Sequence, residues 1–515
     1  MKKVAFLVAL VMVLSVTCGA LAEFPLCNDG EITMTMFASR NASLNVPFEE
    51  HNFFKWMQEL SGVKFDLTYV DSSAFSEKLN LMFTGNDLPE ILFHCNPALS
   101  ANFVMTNGAA GTLLPLNDLI DQYAPNLKAL LDRDQAYWNS ITLPDGNIYA
   151  LPAFGLTYKT NEYTIINKVW LEKLGLEMPS DTETLYAVLK AFKEQDPNGN
   201  GVADEIPLCP AYGIESIKHF SSWFGLMHDV YNNQYVHTDD NNTVVFNPFQ
   251  EEQYKAYLKF FRTLYQEGLL DNDVFVQTNS QVIAKGSGEA QLIGVSEVKG
   301  PTNAVSEAES WNYTVLPVLE SPFGGHVYHA RMLCVPGNFA LTTACKNPEI
   351  AIKWVDYLYS QEGGTLVWMG KEGVTYTLKE GGFDWNLGDE TLTGIRSHDA
   401  IEAGGGCSAL CPVLWTQADV NSVTGYTNSH RALFEKDGYL KEAFPYLYFD
   451  EITATELNSL KTDINSYCDQ MLAKFITGEV DIDAGWTDYI STLKTMGADR
   501  MIEILQETVN ASVNR

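Results

Sequence analysis

This sequence is short of positive charge: 33 Lys and Arg stand against 65 Asp and Glu, for a formal net charge of -32. A field of that sign repels phosphate backbones and anionic bilayer surfaces, which makes nucleic acid and acidic lipid poor partners. It disfavours other polyanions too, says nothing against neutral sugars, and also serves simply to keep an exported chain in solution. Cysteine is sparse as well. Nine in 515 residues are too few and too scattered for a disulfide-built scaffold. Cys407 and Cys411 form the one close pair, in GGGCSALCP, but without a second pair they make no zinc set. A local disulfide and two buried thiols both stay open there, while Cys95, Cys209 and Cys334 sit in apolar surroundings that suit a core. No apolar run after the N-terminus approaches the roughly 20 residues of a bilayer span. There is also no G-x-S-x-G elbow, H-E-x-x-H helix or Walker loop. A glycosidase would need two carboxylates facing each other across a sugar, and abundance of acid alone singles out no such pair.

The N-terminus carries Lys2 and Lys3, an apolar run from Val4 to Val16, and Ala20-Leu21-Ala22 ahead of Glu23. This is the layout of an export signal over residues 1–22. Cys18 adds a second reading, since lipoprotein signals are cleaved just before a cysteine that takes the lipid. Ser15 and Thr17 occupy the places where such a signal has Leu and a small residue, so free secretion and lipid anchoring both stand. About 490 residues remain after the signal, beyond the roughly 250–300 at which one core stops growing, and two lobes are expected.

The hydrophobic pattern alternates in kind. EITMTMFAS (31–39) has strand composition, VPFEEHNFFKWMQELSGV repeats at helical spacing and closes on Gly62, and KFDLTYVD (64–71) is strand-like again. A helix through SEKLNLMFTG and the buried-strand run EILFHC follow. Strand, helix, strand, helix, strand implies a parallel sheet covered by helices. Ligands of such sheets bind beyond the carboxyl ends of the strands, which makes the loops from Ser39, Asp71 and His94 the first lobe's candidate rim.

GNDLPEILF (85–93), LLPLNDLIDQYAPNLKALL (113–131), PDGNIYALP (144–152) and INKVWLEKLGLEMPSDTETLYAVLKAFKEQDPNGNGVADEIPL (166–208) resemble, in that order, segments of the bacterial extracellular solute-binding proteins that serve sugar ABC importers. So do EIAIKWVDYLYSQEGGTLVWMGKEGVTYT (349–377) and FITGEVDIDAGWTDYISTLKTMGADRMIEI (475–504), so that most of the mature chain is covered. The resemblance implies an α/β, two-lobed, periplasmic-binding-protein-like fold with hinge strands and a helix-rich C-terminal lobe. The expected division is a signal at 1–22, a first lobe at 23–155, a second lobe at 156–290, a return to the first lobe at 291–347 and a helical completion of the second lobe at 348–515. The function implied is capture of an oligosaccharide in the cleft by a monomer and its delivery to ABC permease subunits. A peptide or other small-solute receptor on the same fold stays open, with a secreted glycoside hydrolase behind it.

DPNGNGVADE (196–205) puts three carboxylates and two amides into ten residues. Counted as a calcium loop, it offers Asp196 at position one, Asn198 at three, Asn200 at five, Gly201 at the sharp turn, the Val202 carbonyl at seven and Asp204 at nine. Pro207 stands where the closing glutamate is usual, and Glu205 is placed to close the cage instead. The same shortened pattern holds a structural calcium in some oligosaccharide-binding members of the family, so calcium is expected here, fixing the exit of the helix TETLYAVLKAFKEQ. A solvated turn is the plain alternative, because Asp, Asn and Gly are ordinary turn residues.

Saccharide sites combine flat aromatic side chains with a few polar groups. Among the 10 Trp, 24 Tyr and 27 Phe, those on expected inter-lobe loops are Tyr158, Trp223, Tyr376, Trp385 and Trp415. Each taken alone suits a core, and one or two should face the ligand. The polar candidates are Arg40, suited to an acidic sugar or vicinal hydroxyls, His94, Asn96 and Arg331, the last equally suited to bracing the hinge. Trp170 and Trp354, set among apolar neighbours in helices, are expected in the core.

Overall fold

The computed structural model describes residues 24–40, 52–94, 99–155, 162–228, 234–288, 290–324, 334–379 and 444–513, with short strands at 328–329, 382–385, 414–415 and 440–441. ITMTMFASR forms β1 (Ile32–Arg40). Thr33 and Thr35 face solvent beside buried Met34 and Met36, and from Met36 to Ser39 every residue is buried, as in a strand covered on both faces. The next helix, α1 (Asn52–Ser61), buries Phe53, Phe54 and Met57. It ends at Gly62, where φ is 76° and a Cβ would stand 2.1 Å from the Cys27 carbonyl oxygen, so only glycine fits. β2 (Val63–Asp71), α2 (Ser72–Gly85) and β3 (Ile91–Phe93) follow, with β2 and β3 both parallel to β1. Four short helices, α3 (Ala101–Ala109), α4 (Asn117–Tyr123), α5 (Pro125–Leu131) and α6 (Gln135–Ile141), lead to β4 (Leu151–Gly155).

Beyond β4 the chain leaves the first sheet. β5 (Tyr163–Asn167), α7 (Lys168–Leu174), α8 (Thr182–Glu194), β6 (Ile206–Leu208) and α9 (Ile214–His219) open the second lobe. α8 starts on a capping box, Asp181 accepting from the Thr184 N–H, and buries Leu185, Val188, Leu189 and Phe192 along one face. A hairpin of β7 (Val236–Thr238) and β8 (Val244–Phe246), then α10 (Glu251–Gln266) and α11 (Asn279–Gly286), precede β9 (Ile293–Val298), α12 (Glu307–Ser310) and β10 (Tyr313–Val315). The second sheet has the order β10-β5-β9-β6.

After β11 (Tyr328–His329) the chain re-enters the first sheet through β12 (Cys334–Leu341), antiparallel to both β3 and β4. α13 (Pro348–Tyr357) and α14 (Gln361–Met369) follow, then the hairpin of β13 (Tyr376–Lys379) and β14 (Gly382–Trp385), and β15 (Leu414–Trp415), which completes a sheet of order β15-β4-β12-β3-β1-β2. β16 (Leu440–Lys441) pairs with β11. The long α15 (Glu451–Thr477), α16 (Ile482–Thr495) and α17 (Ala498–Val513) share one core with α8, α9 and α10.

Two expected boundaries move. β9 and β10 belong to the second sheet, so the return to the first lobe comes between β10 and β12 and not at 291. Helices α13 and α14 also stay with the first lobe, where Trp354, Val355, Leu358 and Val367 pack with Phe53 and Phe93, so the helical completion of the second lobe does not start at 348, and among the described residues it is taken up from Phe444. Trp354 and Trp170 are core, 0% and 1% exposed, and Cys209 and Cys334 are buried thiols. Cys18, Cys95, Cys407 and Cys411 lie outside the described residues.

Candidate functional site

The connectivity places the site. β1, β2 and β3 are parallel, and β12, antiparallel to β3, begins at the end of the sheet where they finish. β4 ends there too, since Phe154 pairs with Cys334. The chain crosses to the other lobe from that end and re-enters at the start of β5. In the second sheet, the start of β5 lies beside the ends of β9 and β6, because β9 is antiparallel to β5 and parallel to β6. Each sheet thus presents to the crossing segments the end at which a ligand of an α/β sheet binds.

On the first lobe, β1 and β3 finish side by side. His94 has a left-handed backbone, φ 57°, and is 6% exposed. Its carbonyl accepts from the Ser39 hydroxyl at 2.5 Å, and its Nδ1 donates to the Ser39 carbonyl at 2.8 Å. The imidazole therefore ties the two strand ends together.

On the second lobe a polar group caps the apolar core at the crossing end. Thr164 pairs with Glu297, which puts Glu162, Thr164, Glu297 and Lys299 on one face. The Lys299 ammonium is 3.5 Å from Glu162 and 5.0 Å above the Tyr212 ring, while its backbone N–H donates to the Tyr212 hydroxyl at 3.1 Å. Burial pushes the Glu162 carboxyl up, the neighbouring Glu297 adds to this, and His219 and Lys299 oppose it. Behind the rim, Glu297 accepts a short hydrogen bond from His219 Nδ1. Burial alone would depress His219, but the Glu297 carboxylate overrides it and the imidazole is raised. His228, 5.3 Å from His219 ring to ring, is pushed by burial down to about 3. Burial works against ionisation of Glu215, yet His228 and Lys218 bring it to about 2. Lys218, its side chain fully enclosed, bonds Glu215 at 2.6 Å and Asp469 of α15 at 3.2 Å. The rim is thereby wired to the C-terminal helices.

The sequence candidates fall differently. Trp223 is core, not cleft: it is 1% exposed and its ring lies 4.2 Å from Phe220 and 6.0 Å from Phe261. An indole so enclosed has no face left for a sugar. Tyr376 is 6% exposed within the first-lobe core. The backbone of Trp415 pairs with Gly155 at the crossing end. Asn96, Tyr158 and Arg331, with the side chains of Arg40, Trp385 and Trp415, lie outside the described residues. Glu162, Tyr212 and Lys299 escaped the sequence reading because they belong to no motif. The usable signal was position, one residue outside β5 and β9 and a few beyond β6.

The acidic loop is built of interlocking side-chain turns. Asp196, at φ 47°, accepts from the Gly199 and Gly201 N–H groups at 2.9 and 3.1 Å. Asn198 and Asn200 accept from the N–H groups of Asn200 and Val202 and donate to Asp204. Glu205 stands apart, 8% exposed with neither carboxylate oxygen hydrogen-bonded. Burial pushes its pKa up, the charges of Asp196 and Asp204 add to the rise, and the nearby backbone N–H groups of Glu205 and Asn198 hold it back. Among the described residues no three His, Cys, Asp or Glu side chains converge as a metal cage. The loop holds oxygen donors of the type a hard cation takes, and an orphaned carboxylate that a cation would satisfy.

The family described as bacterial extracellular solute-binding protein matches residues 37–365. The chain is 30% identical over 477 residues to the fructooligosaccharide ABC transporter substrate-binding protein FusA of Streptococcus pneumoniae serotype 4, covering 88% of this chain and 85% of that protein. It is 26% identical over 356 residues to the lipoprotein LipO of Bacillus subtilis, 65% of this chain and 66% of that one. The solved structure of S. pneumoniae FusA with kestose superposes with a TM-score of 0.71 at 27% identity over 94% of this chain and 100% of that chain. A FusA EF-hand mutant with fructo-nystose gives 0.72 at 26% identity, again over 94% and 100%.

Proposed function

This chain belongs to the bacterial extracellular solute-binding proteins, and from that premise we infer that it is the receptor of an ABC importer, holding an oligosaccharide between its lobes and passing it to membrane permease subunits. The observation that carries this reading is the pairing of two strand-end rims across the chain crossings, one bearing Ser39 and His94 and the other Glu162, Lys299 and Tyr212. An aromatic ring beside a carboxylate and an ammonium matches the alternation of apolar face and hydroxyl on a sugar. FusA, solved with kestose, supports an oligosaccharide as the cargo. The role is binding without turnover, as for the substrate-binding relatives.

Two attachments belong to the same reading. Calcium is held by the loop from Asp196 to Glu205, through Asp196, Asn198, Asn200, the Val202 carbonyl, Asp204 and Glu205, and fixes the exit of α8. The orphaned Glu205 carboxylate and the EF-hand named for FusA support this. Lipidation at Cys18 would hold the exported protein at the cell surface, with lipoprotein LipO as the supporting relative. The test of the receptor reading is calorimetry and thermal shift against saccharide and peptide panels. A saccharide recovered uncleaved from a stabilised complex is the expected outcome. Stabilisation by peptides alone overturns the cargo, and recovery of cleaved sugar overturns the receptor.

A further inference from the structure

The second lobe's rim has its charges already matched. Lys299, 58% exposed at the side chain, faces Glu162 at 3.5 Å, and Glu297 engages His219 behind it. Deeper still, Lys218 is held by Glu215 and Asp469. The described cations of this face are each partnered by a carboxylate. The rim is also fixed in place: the Tyr212 N–H donates to Ser216 Oγ at 3.1 Å, its hydroxyl accepts from the Lys299 N–H, and Glu162 and Lys299 occupy facing positions just beyond the Tyr163 and Val298 pair. Directly behind lie Thr164 Oγ1, Glu297 Oε2 and His219 Nε2, buried and without hydrogen-bond partners, in residues 1% and 2% exposed for Thr164 and Glu297. The polar layer behind the rim thus holds unused hydrogen-bonding capacity.

We propose that Glu162, Lys299 and Tyr212 are the specificity element of the receptor, accepting a neutral, hydroxyl-bearing saccharide unit and rejecting one that carries a carboxylate. The inference rests on the receptor reading above and adds the chemical class of the cargo. A carboxylate accepts only and an ammonium donates only, so the adjacent pair complements vicinal hydroxyls, each of which does both. The carboxylate of a uronate has nothing to donate to Glu162 and meets Lys299 with its charge already neutralised. The net charge of the whole chain, -32, works in the same direction. Burial holds the Glu162 carboxyl above its ordinary range, while the Lys299 head group stays open to solvent.

The test is calorimetry on the full-length protein with neutral tri- to pentasaccharides, kestose among them, and galacturonate oligomers of the same lengths. Neutral saccharides are expected to bind, with uronates at least about a hundredfold weaker. Glu162→Gln should weaken neutral binding at least about tenfold and narrow the discrimination, because it frees Lys299 to meet a carboxylate. Lys299→Gln should weaken neutral binding and widen the discrimination, and it keeps the test alive should Glu162→Gln fail to fold. Uronate binding within about tenfold of neutral in the native protein, or discrimination unmoved by both substitutions, overturns the specificity proposal while leaving the receptor standing. Failure of both panels overturns the saccharide cargo, and the specificity with it.

Discussion

Glu205 and Trp223 are the two side chains whose surroundings say most about their roles. Burial raises the Glu205 carboxyl above its unfolded value of 4.5. For an acid raised in the fold, the metal-free contribution to stability is largest below the unfolded pKa and is lost as pH rises through the folded one. A calcium ion reverses the sign, since it binds the ionised carboxylate. Calcium at a hundred times its dissociation constant should add about 2.7 kcal/mol, a gain that grows as pH rises from 4 to 7 and collapses in Glu205→Gln. Melting curves with and without chelator check this, and a calcium-independent melting temperature at pH 7 removes the metal. Trp223, enclosed against Phe220 and Phe261, is expected to behave as core: Trp223→Ala should cost about 3–5 kcal/mol by denaturant unfolding, whereas a ligand-facing indole would cost affinity at little loss of stability.

The helix α8 shows how an element transmits order from one end to the other. Its N-terminus is fixed by the reciprocal bonds of Asp181 and Thr184 and its C-terminus runs into the acidic loop. Asp181→Ala should cost about 1 kcal/mol in equilibrium unfolding with saccharide affinity unchanged, because the Asp181 carboxylate spends its bonds on Thr184 and Ser180 within its own cap. Affinity falling with stability would mean that α8 positions the rim. Elements of this kind were legible in the sequence: the helical spacing of Leu185, Val188 and Phe192 and the strand runs around Met36, Tyr69 and Leu92 each appear where the pattern put them. Sheet membership was not legible. IGVSEV reads as a buried strand in either lobe, and only its antiparallel pairing with β5, across more than a hundred residues, assigns it to the second. The same limit hid the rim. Composition weighs Trp223 above Tyr212 as a sugar platform, and only packing sends the first inside and the second to the strand end.

At the scale of the whole molecule, function depends on the two rims being brought together. The chain passes from β4 to β5, from β10 to β12, and again through residues 444–450, where Phe444 joins the second-lobe core while Tyr448 donates to the Ser140 carbonyl of the first lobe at 2.8 Å. The described connections, with their ends in different cores, allow hinge motion while holding the lobes in register. A ligand closes such a hinge only by the excess of its affinity for the closed state, and moving a population from 1:99 to 99:1 takes roughly 5.5 kcal/mol of that excess. One rim alone binds open and closed forms alike, so the excess must come from the rim reached second. Small-angle scattering should then show the radius of gyration falling when the native protein is saturated with its saccharide. Glu162→Gln, saturated at higher concentration, should contract less, because the contact removed is one that discriminates closed from open. Equal contraction in both would place Glu162 outside the closing contacts and return the closing energy to the first lobe and to the crossing segments.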